Sequence, residues 1–159
     1  MKSKSNLPLP VVASVLLTLS LLLPSSVLSA QTTEKEKKVL TQREFVTSEA
    51  AQLLAQGKYE EAASAFDEMK EVYPDYILIY RYQGIAYHEA RMYEKAMHSF
   101  EEALSIDPSN VAVHFYLAET YLTLGRFREA KTSYTFVVEN DQVGRYKEIA
   151  TPRLEEIAT

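Results

Sequence analysis

Cysteine and tryptophan are absent from this sequence, and glycine occurs only four times in 159 residues. Without cysteine the chain can form no disulfide, no zinc–thiolate site and no cysteine nucleophile. Four glycines leave little room for a phosphate-binding loop, and neither a G-x-S-x-G nor an H-E-x-x-H motif occurs. With 25% charged and 47% hydrophobic residues, the composition is that of one ordinary globular domain.

An excess of positive charge is also missing. The chain has 17 basic and 22 acidic residues, and residues 1–30 contain two of the lysines and no acidic residue. The rest of the chain therefore has 15 basic against 22 acidic residues, a net charge of about −7. An acidic protein without a basic stripe gains little from phosphate backbones, so nucleic acid is not an expected partner.

The first thirty residues have the pattern of a secretory signal peptide. A short basic start precedes the apolar run 11–23, and small residues follow up to Ala30. Cleavage is expected after Ala30 or, alternatively, after Ser29. Retention as a membrane anchor is the other interpretation, but a largely apolar run of 13 residues falls short of the roughly 20 that span a bilayer. We therefore predict export, to the periplasm in a bacterium or otherwise by secretion.

The most informative pattern is a repeat of 34 residues without gaps. Residues 43–76 align on 77–110, and 111–144 continue in the same register. Three columns hold the same kind of side chain in every unit: Tyr59, Tyr93 and Phe127; Ala62, Ala96 and Ala130; Phe66, Phe100 and Tyr134. Within each unit apolar residues recur every three or four positions, which is the period of a helix. A repeat of this length indicates stacked helical hairpins.

Each unit is expected to contain two helices separated by a short turn. Gly57 and Gly125 mark two of these turns and suit the left-handed residue that ends a helix. Arg91 holds the equivalent place in the second unit, so slight strain is expected there. Pro74 and Pro108 close the first two units, because proline cannot continue a helix.

These columns resemble the tetratricopeptide repeat. The resemblance rests on a small residue late in the first helix, a large one three positions later, an alanine early in the second helix, an aromatic four later and a closing proline. The first two columns are Ala50, Gly84 and Ala118, then Leu53, Tyr87 and Tyr121. No tryptophan opens a unit, Glu49 stands where leucine is usual, and Gln142 replaces the third proline. The resemblance implies an all-α fold, a right-handed superhelical stack of three hairpins.

Two segments flank the repeats. Residues 31–42 form a charged, lysine-rich lead-in, and residues 145–159 are predicted to form a capping helix over the third hairpin. The side chains expected to cover that hairpin are Tyr146, Ile149, Ala150, Leu154 and Ile157. Pro152 is expected to kink this helix or divide it into two short turns.

Candidate chemical groups do not form a reactive pattern. His88, His98 and His114 lack the spacing of a helical metal site. Adjacent glutamates occur in three pairs, but neighbouring side chains on a helix point about 100° apart and do not converge on a substrate. We therefore predict no enzyme, no metal, no cofactor and no small-molecule substrate.

The resemblance also implies a concave groove lined by the first helix of each hairpin. The corresponding residues of the second and third units are Leu78, Arg81, Tyr82, Ile85, His88, Glu89, Phe115, Tyr116, Glu119 and Leu122. The first unit contributes Thr47, Ala51 and Leu54. Such a surface, apolar with scattered polar groups, is typical of a site for a protein segment. The alternative for each side chain is packing on a neighbouring helix or on the cap.

Family members that hold acidic chaperone tails in the cytosol use a clamp of lysine, arginine and asparagine. The equivalent positions here are Thr47, Ala51, Tyr82, Ala112 and Tyr116, so the clamp is absent. We therefore expect an exported scaffold or adaptor that binds a protein or peptide, for example in envelope-complex assembly. The alternatives are self-association into a homo-oligomer and retention at the membrane by an uncleaved N-terminal segment.

Overall fold

The computed structural model describes residues 40–41, 44–45 and 48–158. From residue 48 onward the regular structure consists of seven α-helices and no strand. They are α1 (Glu49–Ala55), α2 (Tyr59–Val72), α3 (Ile77–Glu89), α4 (Tyr93–Ile106), α5 (Val111–Thr123), α6 (Phe127–Asn140) and α7 (Lys147–Ala158). The predicted all-α stack of helical hairpins is confirmed. The predicted signal peptide and most of the lead-in lie outside the described residues.

The helices pack in the order in which they occur along the chain. Successive helices form three hairpins with short turns, namely α1–α2, α3–α4 and α5–α6. The last helix, α7, packs on α6. Each helix contacts mainly the helix before it and the helix after it. A smaller direct contact also joins α3 and α5, the first helices of successive hairpins. This contact creates a surface that two hairpins share.

Two of the three repeated columns form the interior of the stack, whereas Phe127 of the first column is 57% exposed. The alanines of the second helices, Ala62, Ala96 and Ala130, are all fully buried. So are the three aromatic residues four positions later, Phe66, Phe100 and Tyr134. Small residues at helix crossings allow the backbones to approach, and the aromatic rings fill the remaining space.

One such approach is between Gly84 on α3 and Phe100 on α4. A Cβ atom added to Gly84 would lie 2.5 Å from the Phe100 ring, well inside van der Waals contact. The equivalent residues of the other hairpins are Ala50 and Ala118, both buried. The second hairpin is thus packed more closely at this point than its neighbours.

The turns within the hairpins share one backbone conformation. Gly57, Arg91 and Gly125 have φ angles of 76°, 60° and 71°. Glycine adopts this left-handed region freely, whereas an L residue with a side chain does so at a cost. Arg91 is the only residue with a side chain and a positive φ among those described. The strain expected at Arg91 is therefore present in the backbone.

Two aspartates 34 residues apart organise the junctions that follow α4 and α6. Asp107 accepts hydrogen bonds from the backbone and the hydroxyl of Ser109, and these bonds lower the pKa of its carboxyl. Asp141 accepts from four backbone N–H groups, including those of Tyr146 at 2.6 Å and Lys147 at 2.9 Å, and its pKa is lowered as well. Asp141 thereby holds the start of α7 in the place where the third proline is missing.

The capping helix differs from the prediction at Ile149. Tyr146, Ala150, Leu154 and Ile157 pack against the core as expected, but Ile149 is 50% exposed and points away from it. The expectation for Ile149 was wrong because the next residue, Ala150, is the one that is fully buried at the start of α7. Pro152 lies inside α7, which continues from Lys147 to Ala158, so it does not divide the helix.

A buried polar cluster joins the first two hairpins. The Gln83 side chain on α3, 1% exposed, donates from Nε2 to the Ala63 carbonyl at 3.1 Å and to the Asp67 carboxylate at 2.7 Å. Its Oε1 accepts from the Ser99 hydroxyl on α4 at 3.1 Å. The amide is therefore satisfied on both sides, as burial of a polar group requires.

Candidate partner-binding surface

Four of the predicted groove residues form a stripe along α3. Leu78, Arg81, Tyr82 and Ile85 are spaced by three and four residues, which places them on one side of the helix. All four are partly exposed, whereas Ile79 on the opposite side is fully buried. The stripe is therefore accessible surface that borders the core.

Tyr116 extends this surface from α3 onto α5. Its ring is nearly parallel to the Phe100 ring, at a centroid distance of 6.1 Å. The Tyr82 ring lies 5.2 Å from Phe45. Aromatic neighbours thus hold both tyrosines in place, yet each keeps part of its surface exposed. We call Leu78, Arg81, Tyr82, Ile85 and Tyr116 the α3/α5 face.

Arg81 is the charged group of the α3/α5 face. Its guanidinium carbon lies 4.8 Å from the centre of the Tyr82 ring, a cation–π geometry. Its Nε atom is buried and has no hydrogen-bond acceptor among the described residues. The basic groups that form ion pairs within the described ranges are others, namely Lys58, Lys70, Arg126 and Arg153.

His88 ties α3 to α5 one turn further along. Its Nδ1 lies 3.0 Å from the Thr120 hydroxyl, which itself donates to the Tyr116 carbonyl at 2.8 Å. Because the hydroxyl proton is used in that second bond, His88 Nδ1 is the donor to Thr120. The Tyr93 ring meets the imidazole edge-on at 5.3 Å. These contacts give His88 a structural role between the two helices.

Glu119 is engaged by the core and by the cap. The Tyr134 hydroxyl donates a hydrogen bond to its carboxylate, and the Arg153 guanidinium of α7 lies 3.9 Å from the same oxygen. Burial, followed by this bond and the negative charge of Glu119, raises the pKa of Tyr134. The carboxylate predicted for the groove is therefore largely occupied within the molecule.

Phe115 does not contribute accessible surface. It is 8% exposed, and the Tyr146 ring lies 5.0 Å from it. Tyr146 also meets Tyr116 at 6.3 Å, so the residue before α7 borders the α3/α5 face. Sequence reasoning assigned Tyr146 to the cap but missed this position, and it missed Arg145, whose guanidinium lies 5.7 Å over the Tyr146 ring.

The two remaining predicted residues lie apart from the α3/α5 face. Glu89 is the exposed last residue of α3. Leu122 is the second-last residue of α5. It lies beside a shallow depression that Phe127, Glu156 and Ile157 also line. The structure therefore brings together five of the ten residues at the centre of the surface, with His88 as a support beside them.

The electrostatics of Tyr116 reflect its surroundings. Burial raises the pKa of its hydroxyl, and Tyr146 and Tyr82 raise it further, whereas the positive charges of Arg81 and Arg145 lower it. Tyr116 therefore remains neutral at physiological pH and can donate or accept a hydrogen bond. The charges of both arginines therefore act on this one hydroxyl.

The described residues offer neither a metal site nor a membrane span. No group of three histidine, aspartate or glutamate side chains is arranged to hold a metal ion there. No helix in that part of the chain is long and apolar enough to cross a bilayer.

Comparisons with known proteins agree on one family. Two family models, each described as "Tetratricopeptide repeat", match residues 48–111 and 87–148. Their union runs from residue 48 to residue 148, about two thirds of the chain. No curated protein matches the chain.

Solved structures of the same fold are similar at low sequence identity. The second TPR domain of human RPAP3, in complex with an HSP70 peptide, is 21% identical with a TM-score of 0.63, over 69% of this chain and 89% of that one. The Yersinia enterocolitica secretion chaperone SycD with a YopD peptide is 23% identical with a TM-score of 0.64, over 69% and 86%. PcrH with the chaperone-binding region of PopD is 17% identical with a TM-score of 0.68, over 76% and 96%. At these identities the similarity establishes the fold alone.

Proposed function

Because the chain belongs to the tetratricopeptide repeat family, we propose that it is a protein-interaction module whose α3/α5 face binds a segment of a partner protein. The observation that carries this proposal is the pair of partly exposed tyrosines, Tyr82 and Tyr116, on two neighbouring hairpins. Aromatic side chains held by their neighbours lose little conformational freedom on binding and commonly dominate interface energetics.

The structural relatives support the same kind of activity. RPAP3, SycD and PcrH were each solved with a bound peptide or protein region. In the present chain the apolar side chains of Leu78 and Ile85 flank Tyr82 along α3. A partner segment lying along this stripe would bury apolar surface on both sides of the tyrosine. We propose no catalytic activity.

Export is the second part of the proposal. It rests on the basic start, the apolar run 11–23 and the small residues up to Ala30. N-terminal sequencing of the protein from fractionated cells provides the test. A soluble chain that starts at Gln31 or Ala30 would support export, whereas an intact N-terminus in the membrane fraction would favour retention.

Self-association is the alternative function, and exposed apolar side chains near the C-terminal end favour it. Val143 is 89% exposed, Phe127 57% and Ile149 50%. Light scattering of the exported form at tens of micromolar separates the two functions. A clean monomer excludes self-association as the main role, whereas a dimer that Val143→Ser and Ile149→Ser dissociate would establish it.

The double variant Tyr82→Ala/Tyr116→Ala tests the α3/α5 face directly. Partners are first captured by crosslinking in the native compartment, and one is then purified and rebound. We expect the double variant to lose most of the affinity with limited loss of helicity by circular dichroism. Phe127→Ala, which removes an exposed ring elsewhere, is the matched control. Unchanged affinity in a folded double variant would mean that partners bind at another surface.

A further inference from the structure

One carboxylate organises the junction between α6 and the capping helix. Asp141 Oδ1 accepts hydrogen bonds from the backbone N–H groups of Val143 at 3.2 Å and Gly144 at 3.1 Å. Its Oδ2 accepts from those of Tyr146 at 2.6 Å and Lys147 at 2.9 Å. Charge-assisted bonds to four backbone amides fix the path of the chain into α7. The place of the Tyr146 side chain therefore depends on Asp141.

The Tyr146 ring lies against two aromatic residues of α5. Its centroid is 5.0 Å from that of Phe115, which is buried, and 6.3 Å from that of Tyr116, which is partly exposed. The planes of Tyr116 and Tyr146 are inclined by 70°, an edge-to-face contact that stabilises aromatic pairs. Tyr146 is itself partly exposed. Its accessible surface is therefore continuous with the α3/α5 face through Tyr116.

Arginine side chains cover the rings at both ends of this surface. The guanidinium carbon of Arg81 lies 4.8 Å from the centre of the Tyr82 ring, and that of Arg145 lies 5.7 Å from the centre of the Tyr146 ring. Both distances are within the range of a cation–π contact. A ring that is already held by its neighbours loses little conformational freedom when a partner packs on it.

We infer that Tyr146 is a third aromatic anchor of the partner-binding surface, and that Asp141 is the residue which positions it. This inference rests on the proposed function and extends its site from α3 and α5 onto the cap. The segment that covers Tyr82 and Tyr116 continues past Tyr116 and packs an apolar side chain on the Tyr146 ring. The Tyr146 hydroxyl can also donate or accept a hydrogen bond with the backbone of that segment.

Asp141 can position the ring without holding the whole cap. Ala150 is fully buried, and Leu154 and Ile157 pack against the core. These three apolar contacts keep α7 on the stack independently of the carboxylate. Loss of the Asp141 carboxylate is therefore expected to loosen the junction and the Tyr146 side chain while α7 remains in place.

The first test measures peptide binding to the full chain. The probes are short peptides selected from a random library displayed on phage, and only those that Tyr82→Ala/Tyr116→Ala fails to bind are used. We expect Tyr146→Ala to weaken their binding about tenfold in fluorescence anisotropy, the loss of an interface anchor. Tyr146→Phe keeps the ring and should retain most of the affinity. Ile149→Ala removes an exposed side chain of the same helix and should leave the affinity unchanged.

The second test separates positioning by Asp141 from a general effect on the fold. Asp141→Ala is expected to weaken peptide binding in the wild-type background but to cause no further loss in Tyr146→Ala, because it acts through the ring. Asp141→Asn has one acceptor oxygen instead of two and should keep part of the affinity. The melting temperature should fall by the same amount in both backgrounds, so a purely structural role would not produce this difference.

The third test uses the absence of tryptophan from the chain. Tyr146→Trp places a single indole at this position, and its emission reports on this position alone. We expect the emission to shift to shorter wavelength, and quenching by acrylamide to decrease, when a selected peptide binds. Phe127→Trp, at an exposed position elsewhere, is the control and should show neither change. Circular dichroism establishes that each variant is folded.

The outcomes separate this inference from the proposed function. If peptides that depend on Tyr82 and Tyr116 bind Tyr146→Ala normally, the site ends at Tyr116, and the proposed function stands without its extension. Should Tyr146→Ala not fold, an unchanged indole emission in Tyr146→Trp at saturating peptide leads to the same conclusion. Equal losses from Asp141→Ala in both backgrounds would refute the positioning role. If no selected peptide depends on Tyr82 and Tyr116, the proposed face and its extension both fail.

Discussion

The second and third hairpins share a 34-residue register but pack their interiors differently. In the second hairpin, α3–α4, Gly84 meets Phe100 so closely that no Cβ atom fits. In the third, α5–α6, the equivalent pair is Ala118 and Tyr134, both fully buried. In the second hairpin the Phe100 ring occupies the space that a methyl group would take at Gly84. The same repeat pattern thus accommodates either glycine or alanine where the two helices of a hairpin cross.

The two hairpins differ in polarity as well. Gln83 in α3 forms a buried hydrogen-bonded cluster with Ser99, whereas the equivalent position in α5 is Leu117, also buried. In α5 the corresponding polar contacts are at Glu119, whose carboxylate accepts from the Tyr134 hydroxyl and lies 3.9 Å from the Arg153 guanidinium of α7. Gln83 therefore joins the second hairpin to the first, and Glu119 joins the third hairpin to the helix that follows it.

The largest effect on stability is expected for a substitution in the alanine column, which is buried in both hairpins. Ala96→Arg in α4 places a long charged side chain in a fully buried site, and overpacking with an unpaired charge should cost more than about 3 kcal/mol. Since small domains have about 5–15 kcal/mol in total, the second hairpin should largely unfold. Thermal melting measures the loss, with His98→Arg on the exposed side of α4 as the control. An unchanged melting temperature would refute the repeat register.

The next effect tests the closer packing of the second hairpin. Gly84→Ala should destabilise the protein by about 2 kcal/mol, because overpacking against Phe100 outweighs the better helix propensity of alanine. Urea unfolding measures the difference. The reciprocal change Ala118→Gly should also destabilise, through helix propensity and a small cavity. Stabilisation by Gly84→Ala would mean that the two crossings are equivalent.

A smaller effect is expected for the polar cluster. Gln83→Leu makes α3 resemble α5 at this position but leaves the Ser99 hydroxyl without its acceptor, at a cost of about 1 kcal/mol. Adding Ser99→Ala removes the orphaned group, so the double variant should recover part of the loss. A double-mutant cycle from urea unfolding gives the coupling energy. Additive effects would show that the two side chains act independently.

The smallest effect concerns the turns. Arg91→Gly removes a side chain from a residue at φ 60° and should stabilise the protein by about 0.5–1 kcal/mol, relieved strain exceeding the entropy of glycine. Gly125→Arg makes the opposite exchange in the third hairpin and should destabilise it by a similar amount. Equal melting temperatures for all three proteins would indicate that the turns adapt without strain.

The structure was best predicted from the sequence within the 34-residue repeats. The alanine and aromatic columns predict the core, and the spacing of Gly57, Arg91 and Gly125 predicts the left-handed residues, because each position inherits the packing of its equivalent. On α3 the same logic placed Leu78, Arg81, Tyr82 and Ile85 on one side.

The contacts that sequence reasoning missed lie where the period ends. α7 begins at Lys147, two residues later than a strict 34-residue period allows, because Asp141 binds the intervening backbone. This shift determines where Tyr146 packs and which carboxylate Arg153 meets. Neither depends on a pattern within one unit, so the burial of Phe115 and the capture of Glu119 could not be predicted from the repeat.

The order in which the helices contact one another also has a kinetic consequence. Since each helix meets mainly its sequence neighbours, little loop-closure entropy has to be overcome, and proteins of this kind fold in microseconds to milliseconds. Stability along such a stack is close to a sum of neighbour terms. The amides of α4, covered on both sides, should therefore exchange their hydrogens most slowly, and those of α7, held at one side only, should exchange first.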